Sequence, residues 1–244
     1  MSSNDDKNIP ELLRIGDKIS LLPVIHGSGQ FAVTVRRWML EHAFDCIAVP
    51  LPGSFRTAVE AAVLELPRPS IVIQPPTTAF TAEPESWELN EWNSDEAEID
   101  DLDAATCSYI PIDPCQSVIM SIRAAMGEHI PREYIDLETD PFRPYATTMP
   151  DPFAVRHVAP EKFAAAVLPT IVPPTDQQTR QRMVHMAWRL RELENRYQRI
   201  LLVTSVLHWP WIRDAYTQLG ISSDTPPKSE VTASLELPDD DDVQ

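Results

Sequence analysis

The sequence predicts an α/β domain in three layers, αβα, with a central, mostly parallel sheet and an acidic insertion. Three observations predict it. Apolar runs of strand length alternate with stretches whose apolar residues recur at helical spacing, an order that calls for parallel strands joined by crossover helices. Prolines cluster in the connections, at Pro67-Arg68-Pro69, Pro75-Pro76, 141–152, 169–174 and Pro226-Pro227, where they break helices. Two of the apolar runs, Leu21-Leu22-Pro23-Val24-Ile25-His26 and Ile200-Leu201-Leu202-Val203-Thr204-Ser205-Val206-Leu207-His208, stop at a histidine.

Residues 18–25 read as a buried strand. Residues 29–42 follow as an amphipathic helix, with Phe31, Val35, Trp38, Met39 and His42 on one face. Residues 45–49 form a second strand, 55–66 a second helix and 70–74 a third strand. Residues 81–105 interrupt the alternation with ten acidic residues, no Lys or Arg, and Trp87 and Trp92 interleaved. This insertion reads either as a solvated segment packed locally through its tryptophans or as an acidic-aromatic docking segment for a basic partner. The alternation resumes with a strand at 108–113 ending in Asp113, a helix at 117–126 and a strand at 132–138. A short helix at 161–167 and the longest helix, 175–197, opened by a Thr/Asp cap and dense in arginine, precede the last strand. A helix at 211–219 closes the domain. The predicted organisation is a flexible arm over 1–16, a domain over 17–220 and a disordered acidic tail over 221–244 that carries four consecutive aspartates, Asp239 to Asp242.

Composition excludes several functions. A net charge of −17 repels nucleic-acid backbones and anionic membrane surfaces. No run reaches the roughly 18 apolar residues of a membrane span, and the N-terminus has neither the basic nor the apolar region of a signal peptide. Three cysteines, Cys46, Cys107 and Cys115, without a CxxC pair suit a reducing compartment, so a cytoplasmic protein is expected. The six glycines form no G-x-G-x-x-G or P-loop. Ser28 and Ser205 lie in no G-x-S-x-G elbow, and there is no H-E-x-x-H.

In a parallel sheet the carboxyl ends of the strands face a common crevice, so His26 and His208 are candidates to meet there despite their separation in sequence. Asp113 ends a strand and Arg182 lies on the long helix. Arg182 either clamps a substrate carboxylate or phosphate or pairs with an acidic side chain on a neighbouring element. His185 follows three residues later on the same helix face. Cys115 sits at a strand-to-helix turn, where a helix N-terminus favours a thiolate. Asp136 and Glu138 share one strand face.

Four pieces of the chain, spanning about residues 18–215, resemble the superfamily of TraB/GumN proteins, Tiki-type proteases, ChaN and erythromycin-esterase-like proteins. The likeness is greatest to a bacterial family often encoded beside MoxR-type ATPases and von Willebrand A-domain proteins. The pieces are His26-Gly27-Ser28-Gly29 before a helix holding Val35-Arg36, and Asp45-Cys46-Ile47-Ala48-Val49-Pro50-Leu51-Pro52, similar to a strand ending Glu-Gly-Pro. Tyr109 to Asp113 with Tyr134-Ile135-Asp136-Leu137 is similar to F-I-D-L-P. Arg182-Met183-Val184-His185-Met186 and then His208-Trp209-Pro210-Trp211-Ile212 resemble R-[DN]-x-x-M and G-x-H-x-x-G-I. The chain departs from these patterns at Pro50, where an acid is expected, at Met183, and at Val206, Leu207 and Trp211 in place of glycines.

The resemblance implies a divergent hydrolase-like protein acting on a small molecule or peptide, through either a metal-dependent or an acid/base site. It implies His208, Asp113 and Arg182 as catalytic residues and His26, His208 and Asp113 as ligands of a divalent metal whose bound water is the nucleophile. Without metal, His208 is the general base oriented by Asp113. The alternative is a catalytically degenerate interaction module in an assembly with a MoxR-type ATPase or a von Willebrand A-domain protein.

Overall fold

A computed structural model describes residues 9–74, 108–139, 142 and 148–221. The central sheet has the order β1-β2-β7-β3-β6. Its strands are β1 (Arg14–Ile15), β2 (Ile19–Val24), β3 (Cys46–Pro52), β6 (Arg132–Asp136) and β7 (Ile200–Ser205). All but the short β1 run parallel. Every residue of β7 is buried, the continuous pattern expected of a strand covered on both faces. The helices are α1 (Gly29–Glu41), α2 (Arg56–Leu64), α3 (Ser117–Gly127), α4 (Pro160–Val167), α5 (Gln177–Leu193) and α6 (Trp209–Ile221).

Strand order positions the candidate site. The chain passes from β2 through α1 to β3 and leaves a gap of one strand, which β7 later fills. The return from β6 to β7 runs in the opposite direction, so right-handed crossovers place α1 and α5 on opposite faces. The contacts agree, since α1 packs on α3 while α5 packs on α6. Adjacent β2 and β7 therefore feed helices on opposite faces, which defines a topological switch point between their carboxyl ends.

Two sequence expectations are corrected. Residues 70–74 are not a third strand of the parallel sheet. As β4 (Ser70–Gln74) they pair antiparallel with β5 (Ser108–Ile112) in a separate two-stranded sheet. Ile71 and Ile73 face outward and only Val72 turns inward, whereas a central parallel strand is buried on both faces. Asp113 consequently ends a hairpin strand rather than a central one. Within the stretch read as an arm over 1–16, Leu13 and Ile15 are fully buried and β1 joins the sheet. The acidic insertion at 81–105 and the tail from residue 222 lie outside the described residues. No described helix is long and apolar enough to cross a membrane.

Candidate functional site at the carboxyl edge of the sheet

β2 and β7 are in register from Ile19↔Ile200 to Val24↔Ser205, and Val206 N–H donates to the Val24 carbonyl just beyond. Parallel pairing to the last residue brings the two following turns side by side. In the β2 turn, Gly27 adopts φ +73°, a conformation glycine reaches without a Cβ penalty, and Ser28 then takes the N-cap position of α1 without a side-chain capping bond. The Gly27 N–H donates to Gln116 Oε1 at 2.9 Å, so the start of α3 leans on this turn. In the β7 turn, Leu207 N–H donates to Ser205 Oγ at 3.2 Å. The His208 carbonyl accepts the Trp211 and Ile212 N–H groups, both at 3.1 Å, and opens α6. Both histidines thus sit at strand-to-helix turns held by backbone hydrogen bonds.

Burial lowers the His208 imidazole to a pKa of about 3, reinforced by the Arg182 charge and by His26, with Asp176 opposing. It is neutral at physiological pH. His26 is also lowered, by desolvation first and then by Arg182. Its side chain nevertheless remains exposed. Solvent access offsets part of its desolvation.

Arg182, 5% exposed, reaches from the second turn of α5 to Asp136 at the end of β6, 6% exposed. Nε and Nη2 form a fork onto the carboxylate, with Nε at 3.1 and 3.2 Å from its two oxygens and Nη2 at 2.5 Å from Oδ2. Nη1 stays outside this fork. Asp136 also accepts the Leu137 N–H at 2.8 Å. Burial raises the Asp136 carboxyl above its usual value while Arg182 pulls it down, and the two-point fork is the geometry of an ionised pair. The Phe142 ring covers the guanidinium at 4.8 Å. Of the two roles the sequence left open for Arg182, the ion pair is therefore present. Asp176 caps α5 by accepting the Thr179 N–H at 2.7 Å. The sequence signal for this cap was plain, but its proximity to His208 was not.

The other candidates make local contacts of their own. Asp113 accepts the Cys115 N–H at 2.7 Å and shapes the turn before α3. His185 is half-buried beside Trp188, lowered by burial and raised by Asp136. Cys115 is exposed, and Gly29 is its near neighbour across the turn. Glu138 accepts Ser54 N–H and Oγ–H at 2.9 and 2.8 Å and ties the end of β6 to the turn after β3. Pro50 breaks the β3–β6 ladder, whose register shifts between Val49 and Pro52, because it has no N–H to donate. Burial pushes the Cys46 thiol up to about 12, leaving it unreactive.

The metal ligands implied by resemblance, His26, His208 and Asp113, are not assembled. Among the described residues no three His, Cys, Asp or Glu side chains come together to hold a metal ion. The donor chemistry at the histidines fits a cation poorly, because the Arg182 charge acts on both rings and the carboxylate of Asp136 is taken by that same guanidinium. What the fold and the site define is an α/β protein with a two-histidine, one-arginine cluster at a topological switch point. No protein-family model matches the chain, and comparison with curated proteins and with solved structures finds no match.

Proposed function

We propose that the carboxyl edge of the sheet is a metal-free acid/base site for hydrolysis of a small-molecule or peptide substrate. The observation that carries this reading is the parallel register that sets the turns after β2 and β7 side by side, with the charges of His26 and Arg182 both acting on His208. Their roles follow from their environments. A base works best with a pKa near the operating pH; both rings are lowered, His208 to about 3, and the more exposed His26 is assigned to take a proton from water. His208 remains neutral and orients the water or the leaving group through a hydrogen bond. Arg182, fixed by Asp136, contributes positive potential where an oxyanion develops.

The test is hydrolysis of a panel of p-nitrophenyl esters and short peptides by the full chain. Activity that falls 100-fold or more in both His26→Ala and His208→Ala, an effect on the order expected for a general base, supports the assignment. Rates equal in wild type and both variants would reject it. Stoichiometric transition metal in the purified protein, lost in the double variant, would reject the metal-free form.

A second reading is favoured by a different observation. The outer face of the β4–β5 hairpin exposes Ile71, Ile73 and Tyr109, and Pro50 stands where the resembling families carry an acid. These features support an interaction module, with a MoxR-type ATPase or von Willebrand A-domain protein as partner. Co-purification of the tagged chain with either protein class tests it.

A further inference from the structure

β4 and β5 form a sheet that joins no other described strand. Its inner face is closed by Val72 and Ile112, which pack into the core. Its outer face carries Ile71, Ile73 and Tyr109, exposed to 60, 61 and 64%. Ile73 stands opposite Tyr109, and Ile71 opposite Pro111. A two-stranded hairpin is marginally stable alone, and a strand edge with unused backbone groups is a template for pairing.

The register identifies the unused groups. Pro111 has no N–H, so its pair with Ile71 is not one that exchanges both hydrogen bonds. Such pairs alternate along an antiparallel ladder, which places the exchanged bonds at Ser70/Ile112, Val72/Ile110 and Gln74/Ser108. Ile71 and Ile73 therefore turn their N–H and C=O groups away from β5. Among the described residues nothing else bonds to them. The outer edge of β5 is interrupted by Pro111, which leaves β4 as the competent edge.

We infer that β4 pairs antiparallel with β4 of a second copy of this chain, about a two-fold axis at Val72. Centred there, Ile71 of each copy faces Ile73 of the other, and the two pairs exchange four hydrogen bonds with the groups β5 leaves unused. Shifting the register by two residues in either direction sets Pro69 or Pro75 against the edge. Neither has an N–H, so both shifts lose bonds. The four-stranded sheet also aligns Tyr109 and Ile73 of one copy with Ile71 and Pro111 of the other in one apolar row, the unit of sheet stabilisation.

Charge favours the same occupant. Residues 70–74 and 108–112 carry no ionisable side chain except the Tyr109 phenol, in a chain of net charge −17. The paired strands themselves therefore set no like charges against each other across the axis. A five-residue edge buries less than the roughly 1,000 Å² of a stable interface. The dimer is accordingly weak, with a Kd on the order of 0.1 mM.

Sedimentation of the full chain from about 1 μM to 1 mM, a range that brackets this Kd, tests the inference. Reversible monomer–dimer association is expected. The Ile71→Glu/Ile73→Glu variant sets like charges across the axis and is expected to stay monomeric, while Leu64→Glu, exposed on neighbouring α2, still associates. A monomer throughout the range, or association that survives the double variant, overturns the inference. Circular dichroism matching wild type shows that each variant is folded. Register is read independently by making Ile71→Cys and Ile73→Cys separately in a Cys107→Ser/Cys115→Ser background. Oxidation with diamide is expected to cross-link the mixture and neither variant alone. Equal cross-linking of Ile71→Cys by itself overturns the two-fold register at Val72.

Discussion

The β2–β7 edge and the β4–β5 hairpin are both built from short apolar strands, yet they present opposite chemistry to solvent. β2 and β7 are packed on both faces, so their side chains are consumed by the core and only the turns beyond them reach the surface. Those turns deliver His26 and His208. The hairpin is packed on one face only, so among the described residues it offers Ile71, Ile73 and Tyr109 together with backbone groups that turn away from β5. The first is the region proposed to act on a small molecule or peptide, the second the one inferred to pair with another copy of the chain. The difference arises from how many faces of each strand are covered, not from composition.

The largest expected effect breaks the site from beneath. Asp136→Asn leaves the Arg182 charge buried without its partner and is expected to cost about 3–5 kcal/mol. Urea titration checks it, with a lower midpoint and an unchanged slope. Replacing both members, Arg182→Met with Asp136→Leu, is expected to recover most of that loss, because no charge then remains buried. A central-strand truncation comes next: Leu202→Ala is expected to lose about 2–5 kcal/mol through the cavity it opens in a fully buried strand. The matched change on the outer face of the hairpin, Ile73→Thr, is expected to shift stability by no more than about 0.5 kcal/mol in dilute, monomeric protein. A comparable loss in the two variants would erase the distinction between the regions.

Between these lies a pH effect. The folded-state pKa of His208 is depressed to about 3 from an ordinary value of 6.5. Between those values the unfolded chain binds the proton and the folded one does not, so the stability contribution is fully present above about pH 6.5 and is lost as pH falls toward 3. Below pH 6.5 the wild type is expected to lose stability more steeply than His208→Gln, by at most about 1.4 kcal/mol per pH unit. Parallel pH–stability curves for the two proteins would show that His208 is not held neutral by the fold.

The legible parts of the fold were those with strong local signals. α1 follows the spacing of Phe31, Val35, Trp38 and Met39, and the start of α5 follows the Asp176 cap. β4 was misread because Ser-Ile-Val-Ile-Gln is a short apolar run, and periodicity cannot tell a strand covered on two faces from one covered on a single face. The candidate site was partly legible. His26 and His208 were visible as strand ends, and Arg182 was visible with two open roles. The proximity of Asp176 to His208 and the commitment of Asp136 to Arg182 were not visible, since each joins elements far apart in sequence.

By itself the sequence determined the αβα class, the start of α5 at its Asp176 cap, and the presence of two histidines at the ends of apolar runs, because these depend on periodicity and local backbone chemistry. The tertiary structure alone decided that β7 inserts between β2 and β3, which is what makes His26 and His208 neighbours. It also decided that Asp113 follows a strand of a separate two-stranded sheet and that Arg182 is held by Asp136. These outcomes rest on strand order and long-range burial, which are fixed by how layers pack and not by any window of the chain.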